Sequence, residues 1–245
     1  MTNPLVRKSL ALLALPVVLA LAACGAPNVP SENVPTVAPP SAETLAMYSE
    51  VLDGEKVVPA VPAKYLTGEN PRQRVYYYAP YPVGTLVVDT GDQHLYELLG
   101  DNQAMRYAVA VGEAGRAFAG EATIAYQRDW PTWTPTRNML RREPEKYEPY
   151  RAGMEGGLDN PLGARALYLY KNGRDTLYRI HGTPYPWSVG HAVSSGCIRL
   201  FNQDAMYLAE RVDNGTKVIV LTADEIGKWT RPAGEPIPVQ MQGQM

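Results

Sequence analysis

From Arg74 onward, short apolar runs alternate with turn residues, the pattern of many brief strands rather than long helices. Val75-Tyr76-Tyr77-Tyr78 is an aromatic run bounded by prolines. Thr85–Asp89 and His94–Leu98 flank the turn-like Thr90-Gly91-Asp92 and predict a hairpin, with His94 as a surface residue of it. Arg106–Val111 alternates polar and apolar residues and ends at Gly112, and Ala166–Tyr170, Leu177–Ile180 and Lys217–Leu221 are apolar runs bounded by Gly, Asn or Asp. Helical spacing is confined to two places. One is a short helix near Thr44–Leu52. The other is Asn202–Val212, with Asn202 as N-cap, Asp204 in the first turn, and Ala205, Leu208, Ala209 and Val212 on one face. The fold class expected is mainly β: a small sandwich or barrel-like domain over residues 75–222 with one or two helices.

Between Tyr126 and Gly163 the pattern fails. This stretch carries Trp130, Trp133, four prolines before Pro161, the arginines Arg137, Arg141 and Arg142, and Gly153-Met154-Glu155-Gly156-Gly157. A segment this long without regular pattern inside a compact domain is expected to be a lid over a site, spanning 126–163. Trp130 then has two readings, a substrate-binding platform or the lid's own core, and the sequence does not separate them.

The ends of the chain speak to location. Arg7 and Lys8 precede an apolar stretch, Leu10–Ala23, that contains Pro16 and is short for a membrane span; residues 1–23 read as a secretory signal. It closes in Leu21-Ala22-Ala23-Cys24-Gly25, which resembles a bacterial lipobox. That resemblance implies lipidation of Cys24, and Gly25 in place of Asp implies the outer membrane over the inner. Acyl chains would anchor the protein without spanning the bilayer. Residues 24–44, with Pro27, Pro30, Pro35, Pro39 and Pro40, predict an extended tether; 45–74 is an N-terminal extension and 223–245 a tail. The expected location is the periplasm or cell envelope. About 220 residues remain after the signal, enough for one core, or a core with a lid. A net charge of −2 and a pI near 6.0 exclude general attraction to nucleic acid or to an anionic membrane surface.

Of the two cysteines, Cys24 is spoken for by lipid, so Cys197 is a lone thiol in an oxidising compartment, either inert or reactive. Its surroundings favour reactivity. His181 ends an apolar strand in Tyr178-Arg179-Ile180-His181-Gly182-Thr183, and fifteen residues separate it from Cys197 in Ser194-Ser195-Gly196-Cys197-Ile198-Arg199-Leu200. Thiol catalysis needs a nucleophile, a nitrogen base and backbone donors for an oxyanion, and a neighbouring imidazolium lowers a thiol's pKa. His191 is the rival base in a Gly-rich loop. A zinc site from Cys197, His181 and His191 lacks the usual close ligand pairs. Arg199 has a bland reading as the partner of Asp204.

A His-Gly pair, a loop of this length and Ser-Ser-Gly-Cys-Ile-Arg resemble the signature of the L,D-transpeptidase catalytic domain (the YkuD-type domain). The resemblance covers about Gly84 to Leu221, including Asn160-Pro161-Leu162-Gly163 and Gly215-Thr216. It implies Cys197 as nucleophile, His181 as general base and later acid, and Gly196 with Cys197 as oxyanion donors. It also implies Arg199, Ser194, Ser195, Gly182, Thr183 and Trp130 as residues that meet substrate. Ser195 stands where many relatives carry a second histidine, and Ala119-Gly120-Glu121-Ala122-Thr123 replaces their Thr-Pro-x-Gly. The implied partners are peptidoglycan stem peptides and a wall-linked lipoprotein as acyl acceptor, with no metal or organic cofactor. Alternatives are an L,D-carboxypeptidase that trims tetrapeptide stems and a non-catalytic wall-binding lipoprotein.

Overall fold

The computed structural model describes residues 38–112, 118–192 and 196–230, all within the second of the chain's two units, Val37–Met245. The signal, Cys24, most of the tether, Ser194, Ser195 and the tail beyond Thr230 lie outside the described residues.

The chain opens with α1 (Ala42–Met47), capped by the Ser41 hydroxyl, which accepts from the Thr44 N–H at 3.1 Å. This helix is shorter than predicted because Val51–Asp53 turns instead into β1 and pairs with β2 (Lys56–Val58) across Gly54. There follow β3 (Gln73–Tyr76), β4 (Leu86–Asp89), β5 (His94–Gly100), β6 (Gln103–Ala108) and β7 (Gly120–Asp129). After these come α2 (Arg137–Arg142), α3 (Pro144–Tyr147), β8 (Arg165–Lys171), β9 (Arg174–His181), β10 (Ile198–Arg199), α4 (Asn202–Ala209) and β11 (Lys217–Val220). Among the described residues one nine-stranded sheet runs β10-β9-β8-β7-β11-β4-β5-β6-β3. Its neighbours are antiparallel except β10 with β9 and β11 with β4. Just beyond β6, Ala110 donates to the Arg199 carbonyl at 2.9 Å and accepts from the Arg199 N–H at 3.1 Å. The sheet thereby curls back on β10, and the mainly β, barrel-like expectation holds.

The inner face gathers Leu86, Val88, Leu95, Tyr107, Ile124, Leu167, Leu169 and Ile180, sealed by Ala205, Leu208 and Ala209 of α4. Val87, Tyr96, Leu98, Ile219 and Leu221 bury the opposite face. Coverage on both faces explains why Leu86-Val87-Val88 and Val218-Ile219-Val220 are continuously apolar instead of alternating. It also corrects the reading of His94, which is only 7% exposed because β5 has no solvent face.

Two further expectations change. β7 was not foreseen, and it occupies the first four positions assigned to the lid. Its alternation of buried Ala122 and Ile124 with exposed Glu121 and Thr123 is short and weakly apolar. The insertion begins after Asp129 and holds α2, α3, a 3₁₀ turn at Glu148–Tyr150 and a Trp133–Met154 bridge. Asn202 is not the N-cap of α4. Phe201 holds that position without a side-chain cap, and Asn202 Oδ1 accepts instead from the buried Ala164 N–H at 2.9 Å.

The N-terminal extension is stitched to α4. Tyr48 donates to Asp204 Oδ2 at 3.0 Å, Arg72 Nη1 lies 2.8 Å from Asp204 Oδ1, and Gln203 Nε2 donates to the carbonyls of Ser49 and Pro59. Burial lifts the Asp204 carboxyl to about 6, still ionised at neutral pH, where Arg72 neutralises it.

Candidate active site

His181 is the last residue of β9, and Cys197 immediately precedes the two-residue β10. The parallel pairing sets Ile198 against Ile180 and Arg199 against His181. Paired positions share a face, so Arg199 and His181 lie on one side of the sheet, and period-two alternation adds Arg179 and Cys197. Cys197 Sγ stands 3.9 Å from the Leu177 carbonyl and is hydrogen-bonded through the backbone of Arg179. Cys197 is half-buried. Gly196 before it has φ 132°, a backbone conformation that glycine adopts at little cost.

The His181 ring is 3% exposed, with Nδ1 2.6 Å from the Gly182 carbonyl oxygen. A carbonyl can only accept, so Nδ1 carries the proton and Nε2 holds the lone pair. Burial first, then the charges of Arg199 and Arg179, push the imidazole down to about 3. Burial likewise pushes the Cys197 thiol up, although Arg179 and Arg199 pull against it. The resting pair is therefore neutral thiol and neutral imidazole. The thiolate–imidazolium pair expected from the sequence is disfavoured here because burial opposes both charged forms, and the cations Arg199 and Arg179, which favour the thiolate, oppose the imidazolium.

Arg199 is half-buried, with Tyr147 of α3 and Tyr185 beside its charge. It is not the partner of Asp204, which Arg72 takes. Gly182 and Thr183, expected to meet substrate, are buried. A Cβ on Gly182 would stand 2.2 Å from Asn202 Oδ1, as would one on Gly163, so the two glycines make the slot that the Asn202 amide fills. Thr183 Oγ1 accepts from the Tyr185 N–H at 3.2 Å.

Trp130 is half-buried. Its indole donates to Asp53 Oδ2 at 2.8 Å, lies under Lys56, and packs with Val58, Ala164 and Met206; these contacts anchor the base of the insertion to β1 and β2. Asn160 holds the other side of that base, donating to the carbonyls of Pro131 and Glu155 and accepting from the Leu162 N–H. His191 is exposed, after a 3₁₀ turn at Pro186–Ser188. Among the described residues there is no cluster of three metal-ligating side chains. Sequence reasoning missed Arg179, whose guanidinium stacks 4.3 Å over Tyr168, pairs with Asp175 and acts electrostatically on both Cys197 and His181. Its position two residues before His181 on a strand was the available signal.

Comparison with known proteins agrees on one family. The profile of the L,D-transpeptidase catalytic domain, YkuD, matches residues 84–220. The chain is 36% identical over 148 residues to the probable L,D-transpeptidase ErfK/SrfK of Escherichia coli strain K12, covering 59% of this chain and 46% of that protein. It is 37% identical over 152 residues to the probable L,D-transpeptidase YbiS of the same strain, covering 61% and 48%. The chain thus spans about half the length of the curated relatives it matches. A solved structure from Brucella melitensis, described as a probable carnitine operon oxidoreductase caia, is 44% identical over 64% of this chain and 98% of that one, with a TM-score of 0.45. That description names a different chemistry, and backbone overlap at this score is too partial to transfer it.

Proposed function

Since the chain belongs to the L,D-transpeptidase catalytic domain family, we propose that it is an acyltransferase that uses Cys197 as nucleophile and His181 as base on peptidoglycan stem peptides. The observation that carries this reading is the tautomer of His181. With Nδ1–H given to the Gly182 carbonyl, Nε2 is the basic nitrogen, on the strand paired with the segment that follows the thiol.

The reaction runs from the neutral pair. As the sulfur attacks the carbonyl between the third stem residue and its terminal D-alanine, the thiol proton passes to His181 Nε2. The backbone N–H groups of Gly196 and Cys197 receive the oxyanion. Collapse breaks the C–N bond, the His181 proton leaves on the departing D-alanine amine, and a thioester remains. An amine of a second stem, or of a protein lysine, then attacks the thioester carbon and gives a proton to Nε2; the C–S bond breaks, His181 returns that proton to the departing sulfur, and the new amide is released. Arg199 and Arg179, cations on the same face, suit the carboxylates of a stem peptide. Burial and a high thiol pKa also protect a lone cysteine from oxidation between turnovers. Cys24 is the proposed lipid anchor, holding the domain in the cell envelope by the tether; metabolic incorporation of a labelled fatty acid, lost in Cys24→Ala, tests this.

The central experiment is acylation by a carbapenem read by intact mass. One adduct per chain is expected, absent in Cys197→Ala. Incubation with purified tetrapeptide stems is expected to give cross-linked dimers and free D-alanine. Tripeptide alone would mean that water is the acceptor, and unreacted stems with no adduct would leave a binding protein.

A further inference from the structure

β3, β5 and β6, which carry neither Cys197 nor His181, border a cavity of about 370 Å³ whose lining includes Glu69, Tyr76, Asp92, His94, Tyr96 and Arg106. Arg106 is 8% exposed, and its Nη1 pairs with Glu69 Oε1 at 2.6 Å. Its Nε and Nη2 are buried and meet no acceptor among the described residues. These two N–H groups form the edge of a guanidinium that grips a carboxylate with two parallel hydrogen bonds. Leaving that edge unsatisfied in a buried cation is costly, so it points to a ligand that completes it. His94 Nδ1 is a second buried polar atom with no partner among the described residues. The ring is neutral at physiological pH, pushed down to about 4 by burial and by Arg106. The lining also holds two exposed carboxylates, Asp92 and Glu69, the negative groups of a cavity whose buried cation is Arg106. Tyr76 and Tyr96 add ring surface on which an ammonium can rest.

We propose that this cavity binds a small zwitterion, an amino acid or dipeptide, with its carboxylate on the Nε and Nη2 edge of Arg106 and its ammonium facing Asp92 and Glu69. Two features of the ligand match the lining: a planar carboxylate for the open guanidinium edge, and a cation for the carboxylates of Asp92 and Glu69. A simple anion would meet repulsion from Glu69 and Asp92, and a simple cation would meet Arg106. Glu69, whose side chain is 67% exposed, holds Nη1 and leaves the Nε and Nη2 edge to the ligand. The site stands on these residues alone and is independent of the chemistry assigned to Cys197.

Isothermal titration of the purified full chain with D-alanine, L-alanine and alanyl-alanine, beside acetate and ethylamine, tests this. Saturable binding of at least one zwitterion at one per chain is expected, at least tenfold tighter than either half-ligand. Arg106→Lys keeps the charge but loses the bidentate edge and is expected to weaken binding at least tenfold. Asp92→Asn is expected to reduce zwitterion affinity to that of acetate, and it serves as the decisive variant if Arg106→Lys fails to fold by circular dichroism. Cys197→Ala is expected to bind unchanged. No saturable heat with the folded wild type, affinity that survives Asp92→Asn, or binding lost in Cys197→Ala would each overturn the proposal.

Discussion

At the scale of single residues, the proposed chemistry rests on an imidazole kept neutral. His181→Ala is expected to slow carbapenem acylation by about 10²–10⁴, the usual contribution of a positioned general base. Because burial and two arginines push the ring down to about 3, the wild-type acylation rate should not fall between pH 7 and pH 5. An acid limb near 6.5 in stopped-flow traces would show a solvated ring and sink the neutral-pair mechanism. The same depression has a consequence for stability. His94 is pushed down to about 4 and His181 to about 3, both from 6.5. The unfolded chain therefore takes up protons that the folded chain refuses as pH falls below 6.5, and stability drops across that window. Asp204, lifted to about 6, acts in the opposite sense: its contribution is full below the ordinary carboxylate pKa and is lost as pH rises through 6. Urea midpoints between pH 6.5 and 4 should thus show a flatter slope in His94→Gln than in the wild type. His181 and Cys197 were legible from residue type and spacing. Their protonation states were not, because those depend on water excluded by residues distant in sequence.

Among the elements, glycines and one asparagine lock β8, β9 and α4 together. Gly163 and Gly182 leave the slot that the Asn202 amide occupies. A methyl group on Gly182 must displace that amide, so Gly182→Ala is expected to cost about 2 kcal/mol or more in urea unfolding. A double-mutant cycle with Asn202→Ala should show coupling, since removing the amide relieves the clash. The base of the insertion offers a second test. Trp130→Phe removes the hydrogen bond to Asp53 and is expected to cost about 1 kcal/mol. Acylation kinetics should stay near wild type, whereas a substrate platform would raise KM. Strand runs such as Lys217–Val220 were legible because apolar continuity survives any context. The β1–β2 hairpin, β7 and the true cap of α4 were not, since each is decided by what a neighbouring segment presents.

For the whole molecule, the extension ahead of β3 is part of the domain. Asp204 is fully buried in α4, neutralised by Arg72 and hydrogen-bonded by Tyr48, both from the chain before the main sheet. A chain beginning at residue 38 should fold, while one beginning at 74 leaves that carboxylate buried and unpaired, a loss of about 3–5 kcal/mol. Comparing their thermal midpoints checks this, and equal midpoints would mean that Asp204 is hydrated or protonated.

The sequence by itself determined the class of fold and the family, and it marked Cys197 and His181 as the candidate pair, because short apolar runs and the ordered His-Gly and Ser-Gly-Cys elements are local and carry their meaning without contacts. Only the tertiary structure decided that burial opposes charge on both members of the pair, that Arg179 stands with them, that Gly182, Thr183 and Trp130 pack into the fold, and that Arg106 leaves an open edge. Each of these depends on desolvation and on charges brought together across strands, and neither is written in the spacing along one chain.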